Sequence, residues 1–215
     1  MKRRHKFLIV LALATAGALA AAGALFVYLP APTVTGSAAT LVGRPTTSGT
    51  ALIGGPFLLV ATDGKNVTDQ TYRGKWLLIY FGYTFCPDAC PTALNNISVA
   101  LEKLGPDAGK LQPLFVTVDP QRDTRDVMID YLKSFDSRIV GLTGTQAQID
   151  NVVKQYRIYV EQQKSEAGGE DYLVSHSAYV YLMDPQGKFA NVIEGTATGE
   201  EIAAWLRKQM THSRR

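Results

Sequence analysis

The sequence contains few cysteines and few charged residues, and both shortages narrow the possible classes of protein. Only two cysteines occur among 215 residues, too few for a small domain held together by disulfides. Charged residues make up 19% of the chain against 46% hydrophobic residues, and a chain with so much apolar surface to bury is not intrinsically disordered. The 19 glycines and 10 prolines follow no repeating period, which excludes collagen-like and low-complexity chains.

Familiar catalytic patterns are missing as well. The pair Gly54-Gly55 is not followed by the Gly-Lys-Ser/Thr of a phosphate-binding loop, and no HExxH motif of a zinc protease occurs. Nor is there a pair of acidic residues whose spacing suggests acid–base catalysis. The sequence therefore gives no support for a P-loop nucleotide-binding protein or a zinc protease of that type.

The excess of positive charge lies at the N-terminus. The formal net charge is +3, and the first six residues include Lys2, Arg3, Arg4 and Lys6. Residues 7–29 then carry no charged side chain, and at 1.5 Å per residue this stretch can cross a hydrocarbon core of about 30 Å as a helix. We expect a cytoplasmic basic segment over residues 1–6 and a transmembrane signal anchor over residues 7–29.

A signal peptide cleaved in the region Ala18–Ala22 is the alternative for this stretch, although its apolar run exceeds the usual length of roughly 7–15 residues. The positive-inside rule keeps residues 1–6 in the cytoplasm and sends the chain from Pro30 onward across the membrane. Without its four basic residues the exported part has 18 Lys/Arg against 19 Asp/Glu, a net charge of −1. Nucleic acid is therefore not an expected partner.

The exported part divides into three predicted segments. Residues 30–50 are rich in Pro, Thr, Ser, Gly and Ala and are typical of a flexible linker. Residues 51–210 have a globular pattern and are numerous enough for one substantial core without disulfides. Residues 211–215 are expected to form a short polar tail.

The globular segment alternates strand and helix patterns. Strands are predicted at Phe57–Ala61, Trp76–Phe81, Leu114–Val118, Ile139–Leu142, Ala178–Met183 and Lys188–Ile193, and helices at Pro91–Leu104, Thr124–Phe135, Thr145–Tyr156 and Thr198–Met210. Residues 161–172 are expected to form an exposed loop. This order predicts an α/β, thioredoxin-like fold: a central mixed sheet flanked by helices, with a helix and a strand inserted before the final hairpin.

The two cysteines, Cys86 and Cys90, follow the most apolar predicted strand and precede a helix. Ligands bind at the carboxyl ends of such strands, and a helix N-terminus favours the thiolate form of a nearby cysteine. Thiol–disulfide oxidoreductases usually have two residues between their cysteines, whereas three occur here. Metal binding, redox exchange and a structural disulfide all remain open, although a disulfide across so short a loop removes little entropy from the unfolded chain.

A third candidate metal ligand lies in the predicted globular segment, residues 51–210. Of the three histidines, His5 precedes the apolar stretch and His212 lies near the C-terminus, which leaves His176 within the domain. Two thiolates and one imidazole form a soft set suited to Cu(I), and acceptable to Cu(II) with an added oxygen or nitrogen ligand. Zinc in a structural site more often takes four protein ligands.

Three motifs give the sequence a resemblance to the Sco/SenC family. They are GYTFCPDACPT at residues 82–92, VTVDPQRDT at residues 116–124 and SHSAYVYLMDPQG at residues 175–187. The resemblance implies a membrane-anchored, thioredoxin-like copper protein that assists assembly of the dinuclear copper centre of cytochrome c oxidase subunit II. It also implies that Cys86, Cys90 and His176 are the copper ligands.

The same resemblance sets the remaining expectations. It implies a single-pass protein of the bacterial inner (cytoplasmic) membrane with its C-terminal domain in the periplasm, where other copper carriers are further candidate partners. Family members often have Asp before the histidine, and Ser175 stands there in this chain, so a carboxylate from this position is missing. Asp119 matches the VDP motif and is either a support for the site or a turn residue at the strand end.

A copper-binding and transfer protein, rather than an enzyme with turnover, is thus the leading hypothesis. The alternative is a thiol–disulfide oxidoreductase in which Cys86 and Cys90 are redox-active and keep exported cysteines reduced, including those of the oxidase copper site. A thiol peroxidase is a third, weaker hypothesis, because Thr84 lies one residue too close to Cys86 for the usual TxxC spacing.

Overall fold

The computed structural model describes residues 53–164 and 172–212. The predicted basic segment, membrane anchor and linker lie outside these residues, as do residues 213–215. Within the described ranges, no helix combines the length and the apolar character that a bilayer crossing requires.

The described residues form alternating strands and helices. In chain order these are β1 (Leu58–Ala61), β2 (Asn66–Thr68), β3 (Trp76–Gly82), α1 (Ala89–Leu104), β4 (Leu111–Thr117), α2 (Arg125–Leu132), β5 (Val140–Thr143), α3 (Gln146–Gln155), β6 (Val160–Lys164), β7 (Tyr172–His176), β8 (Tyr179–Met183), β9 (Phe189–Glu194) and α4 (Gly199–His212). A 3-10 turn, Gly105–Lys110, joins α1 to β4.

The main sheet has the strand order β2-β1-β5-β4-β3-β8-β9. Strands β3, β4 and β5 run parallel, and the remaining pairs in this sheet are antiparallel. Because β3 and β4 are paired in register from Trp76↔Leu111 to Gly82↔Thr117, their carboxyl ends lie side by side. The predicted α/β class with a central mixed sheet is confirmed.

Burial explains why the central elements form where they do. All seven residues of β3 are buried, as a strand covered on both faces requires. Helix α1 buries a stripe at helical spacing that includes Leu94, Ile97 and Leu101, and it packs beside α4. Helix α2 is capped by Thr124, whose hydroxyl accepts from the amide of Val127.

Several boundaries differ from the prediction. Helix α1 begins two residues early at Ala89, α2 ends at Leu132 rather than Phe135, and β4 begins at Leu111 although Pro113 lies inside it. The Gln112 side chain donates to the carbonyls of Pro113 and Arg138 beside that irregular position. The short strand β2 follows the turn after β1 and was not predicted, since three residues are too few to show a period.

The larger correction concerns the expected loop over residues 161–172. Residues 161–164 lie in β6 and Tyr172 begins β7, and these two strands form a separate two-stranded antiparallel sheet. His176 is therefore the last residue of β7. The loop interpretation was wrong for residues 161–164 and 172, because the polar, exposed residues 161–163 show no strand pattern in the sequence; residues 165–171 lie outside the described residues.

Candidate metal centre

The predicted site residues meet at the carboxyl ends of β3 and β4. Cys86 lies in the loop after β3 and Cys90 in the first turn of α1, while His176 arrives from β7. Strand β8 runs antiparallel to β3, so the chain just before β8 lies at the same end of the sheet as the cysteine loop. This topology brings residues 86 positions apart in the chain into contact.

The three side chains present one compact group of ligand atoms. The two Sγ atoms and the imidazole nitrogen all lie within 4.8 Å of one another. His176 Nε2 is 3.4 Å from Cys90 Sγ, and the backbone amide of Cys90 donates to Cys86 Sγ at 3.4 Å. Cys90 is fully buried, whereas Cys86 and His176 are half-buried, so the group can be reached from solvent on one side.

The tautomer of His176 suits metal binding. Its Nδ1 atom lies 3.1 Å from the carbonyl oxygen of Ser177. Since a carbonyl only accepts, Nδ1 carries the proton and Nε2 presents its lone pair toward the cysteines. A metal-binding histidine is commonly oriented in this way by a backbone carbonyl.

The pKa values of the two cysteines are shifted in opposite directions. Hydrogen bonds from Cys90 and from nearby backbone amides lower the pKa of Cys86 to about 3. The hydrogen bond with Cys86, together with burial, raises the pKa of Cys90. In the metal-free protein Cys86 is therefore the thiolate, and Cys90 holds the proton in its bond to it.

Asp123 holds in place the loop that carries Cys86. It was not among the residues singled out from the sequence. Its buried carboxylate accepts from the amide of Thr84 at 3.1 and 3.2 Å, from the Thr84 hydroxyl at 2.6 Å and from the Thr117 hydroxyl at 2.6 Å. Burial raises the pKa of this carboxyl. Asp123 thus ties the loop two residues before Cys86 to the end of β4.

Asp119 supports the site indirectly. Its buried carboxylate accepts from Arg122 Nε at 2.6 Å and from the Tyr172 hydroxyl at 2.7 Å. Tyr172 begins the strand that carries His176, so Asp119 contacts that strand rather than a metal ligand. Ser175 and His176 are neighbours in β7, so their side chains leave the strand on opposite faces.

The arrangement of donors fits a soft monovalent metal. Two sulfur atoms and an imidazole nitrogen with a free lone pair are suited to Cu(I), and three donors suffice for it. The same sulfur atoms lie close enough for dithiol–disulfide exchange after a modest movement. Both chemistries are therefore compatible with the geometry.

Comparisons with known proteins point to one family. A family model described as SCO1/SenC matches residues 45–211. Protein sco1 of Schizosaccharomyces pombe is 42% identical over 164 residues, covering 75% of this chain and 60% of the relative. The mitochondrial SCO1 homologue of Homo sapiens is 39% identical over 174 residues, covering 79% and 54%. The chain thus spans little more than half the length of these two relatives.

Solved structures agree with the fold. Bradyrhizobium japonicum ScoI with copper bound has a TM-score of 0.68 at 45% identity, covering 73% of this chain and 99% of the other. Yeast Sco1 with copper bound has a TM-score of 0.68 at 38% identity, covering 74% and 88%. The matched part therefore corresponds to nearly the whole of these chains.

Proposed function

This chain belongs to the SCO1/SenC family, and on that premise we propose that it is a copper metallochaperone that assists cytochrome c oxidase assembly. One copper ion is held by Cys86, Cys90 and His176. The structures of two relatives that contain copper support this proposal. The observation that carries it is the position of two sulfur atoms and one imidazole nitrogen within 4.8 Å of one another.

The chemistry of these ligands favours transfer over permanent storage. A three-coordinate Cu(I) site leaves room for a thiolate of a partner to join before one of the resident ligands departs. Cys86 is the half-buried sulfur, so the partner approaches from its side, whereas Cys90 stays covered. We propose the dinuclear copper centre of oxidase subunit II as the acceptor, with other periplasmic copper carriers as further partners.

The N-terminal part completes the proposal. Residues 7–29 anchor the protein in the bacterial inner membrane with residues 1–6 in the cytoplasm. The linker over residues 30–50 then places the copper-binding domain, residues 51–210, in the periplasm. The basic flank and the uncharged stretch in the sequence support this organisation.

Titration with Cu(I) tests the proposed function. The reduced domain, residues 51–215, is titrated anaerobically against a chromogenic Cu(I) chelator, and one equivalent should bind. Cys86→Ser, Cys90→Ser and His176→Ala should each weaken binding, by roughly tenfold or more for loss of one ligand. His212→Ala is the matched control and should bind like the unchanged domain. Equal affinity in all variants would show that these three residues do not hold the metal.

A thiol–disulfide oxidoreductase is the second candidate function. The observation in its favour is the unequal exposure of the cysteines, because a reachable Cys86 beside a covered Cys90 is the usual arrangement of an attacking and a resolving thiol. This activity does not need an imidazole ligand. A His176→Ala variant that keeps full activity in cells would favour reduction of exported cysteines over copper delivery.

A further inference from the structure

The hairpin formed by β6 and β7 is attached to the domain mainly through side chains. It forms its own sheet, and no strand pairing joins it to the main sheet within the described residues. Among the described residues, three hydrogen bonds besides the one between Cys90 and His176 link β7 to the body: Tyr83 accepts from the amide of Val174, Arg122 donates to the carbonyl of Tyr172, and the Tyr172 hydroxyl donates to Asp119. Together with the buried side chain of Val174, these bonds place His176 over the cysteines.

Arg122 holds the first residue of β7 in two ways. Its Nη1 atom donates to the Tyr172 carbonyl at 2.9 Å, and its Cζ atom lies 3.7 Å from the centre of the Tyr172 ring. The same guanidinium lies 4.8 Å from the ring of Phe85, next to Cys86, and its Nε atom is paired with Asp119. Arg122 thus touches both the cysteine loop and the strand that carries His176.

One donor atom of Arg122 remains without a hydrogen bond. Its Nη2 atom is buried and has no hydrogen-bond partner among the described residues. A buried donor without a partner is unfavourable, and here aromatic faces cover part of the guanidinium instead of acceptors. The guanidinium is therefore held partly by hydrogen bonds and partly by stacking on aromatic rings.

We propose that Arg122 is a positioning residue that latches β7 onto the cysteine loop and thereby sets the rate at which copper leaves the site. The inference rests on the proposed copper function. Cys86 and Cys90 lie on one segment, whereas His176 is the ligand that arrives on the hairpin. Opening the latch withdraws the imidazole and leaves the two thiolates, which a partner's thiolate can then displace.

The rate of copper release from the reduced domain tests the latch, that is, the contacts by which Arg122 holds β7 on the cysteine loop. Stopped-flow transfer of Cu(I) to a strong chelator should be about tenfold faster in Arg122→Met, which keeps the side-chain stem but loses the guanidinium bonds. Tyr172→Phe keeps the stacked ring and loses only the bond to Asp119, so its release should be accelerated less. Arg125→Met removes an exposed positive charge three residues away and should release copper like the unchanged domain.

A double-mutant cycle separates the latch from general destabilisation. If Arg122 acts through the imidazole, Arg122→Met should change copper release little in a His176→Ala background. A full additional acceleration there would overturn the latch. Amide hydrogen exchange in the metal-free domain gives a second readout, since Arg122→Met should speed exchange in β7 and leave β3 and β4 unchanged.

The outcomes distinguish the two proposals. If the unchanged domain binds one Cu(I) and loses affinity with His176→Ala, but release or exchange is unaffected by Arg122→Met, the latch is wrong and the copper function stands. If the unchanged domain binds no copper, the copper function fails, and the latch as a control of release falls with it. Faster release, faster β7 exchange and a non-additive cycle together support the latch.

Discussion

Cys90 Sγ lies 3.4 Å from Nε2 of His176, although 86 positions of the chain separate the two residues. One atom belongs to a fully buried residue at the start of a helix, and the other to the last residue of an outlying strand. The contact therefore joins the core of the domain to the β6–β7 hairpin, which forms a separate sheet. In the proposed function, both the binding of copper and its release depend on this pair.

The unequal cysteines lead to a prediction about alkylation. Metal-free, reduced protein treated with iodoacetamide at about pH 6, well below the ordinary thiol pKa of about 8.5, should be labelled at Cys86 and hardly at Cys90. Hydrogen bonds from Cys90 and from backbone amides lower the pKa of Cys86, so its thiolate persists there, whereas Cys90 is covered and protonated. Peptide mass spectrometry over time measures both rates.

His176→Ala provides the internal comparison for this experiment. The Cys86 thiolate accepts from Cys90 and from backbone amides, so labelling of Cys86 at that pH should persist in His176→Ala while Cys90 stays protected. Preferential labelling of Cys90 in the unchanged protein would contradict the assignment of the two thiols.

A side chain added at Gly82 should disturb the site sterically. A Cβ atom at this last residue of β3 would lie 2.8 Å from Cys90 Sγ and 2.9 Å from a ring carbon of Phe115, and both are inside the core. Gly82→Ala should therefore lower the free energy of unfolding by about 1–3 kcal/mol and weaken Cu(I) binding by displacing Cys90. Urea denaturation and chelator competition measure the two effects.

Gly109→Ala is the matched control, because a Cβ atom there meets nothing within 4 Å. Its unfolding free energy and its copper affinity should both stay near those of the unchanged domain. A Gly82→Ala variant as stable and as tight a binder as Gly109→Ala would show that the site tolerates movement of Cys90.

Much of this architecture could be predicted from local sequence pattern. The uninterrupted apolar run of β3 and the helical spacing of Leu94, Ile97 and Leu101 identify the core elements, because burial on two faces or one face produces those patterns directly. The proposed ligand set could be predicted as well, because few residues of the right chemistry occur in the chain.

The supporting contacts could not be predicted in this way. Asp123 binds Thr84 across 39 positions and Arg122 binds Tyr172 across 50, so neither bond leaves a periodic trace in the sequence. The hairpin of β6 and β7 was missed for another reason: residues 161–163 are polar and exposed, so β6 shows no strand pattern, although Val174 of β7 is buried. The signal in the sequence was that both charged residues, Arg122 and Asp123, lie within the motif at residues 116–124.

The proposed membrane anchor predicts a fractionation result. Full-length protein expressed in a bacterium should stay with the membranes after extraction with alkaline carbonate, because a helix of this length and apolarity is inserted rather than adsorbed. The domain beginning at residue 51, exported with a cleavable signal, should be recovered in the soluble periplasmic fraction. Release of full-length protein by carbonate would contradict anchoring.

The buried carboxyl of Asp123 predicts a dependence of stability on pH. Burial raises its pKa above the value of 3.8 that an exposed aspartate has. A group with a raised pKa contributes stability that is present below the unfolded value and is lost as the pH rises through the folded value. Asp123→Asn removes this titration. As the pH falls toward about 4, the difference in unfolding free energy between the two proteins should therefore shift in favour of the unchanged domain.

At neutral pH the same substitution should still cost about 1–3 kcal/mol, since the amide of Asn replaces an acceptor of the Thr84 and Thr117 hydroxyls with a donor. Urea denaturation between about pH 4 and pH 7 measures both effects. Asp130→Asn is the control, because that carboxylate is exposed and its loss should cost less than about 0.5 kcal/mol. If the gap between the unchanged domain and Asp123→Asn instead widens as the pH rises, the threonine bonds outweigh burial and hold Asp123 ionised beneath the cysteine loop.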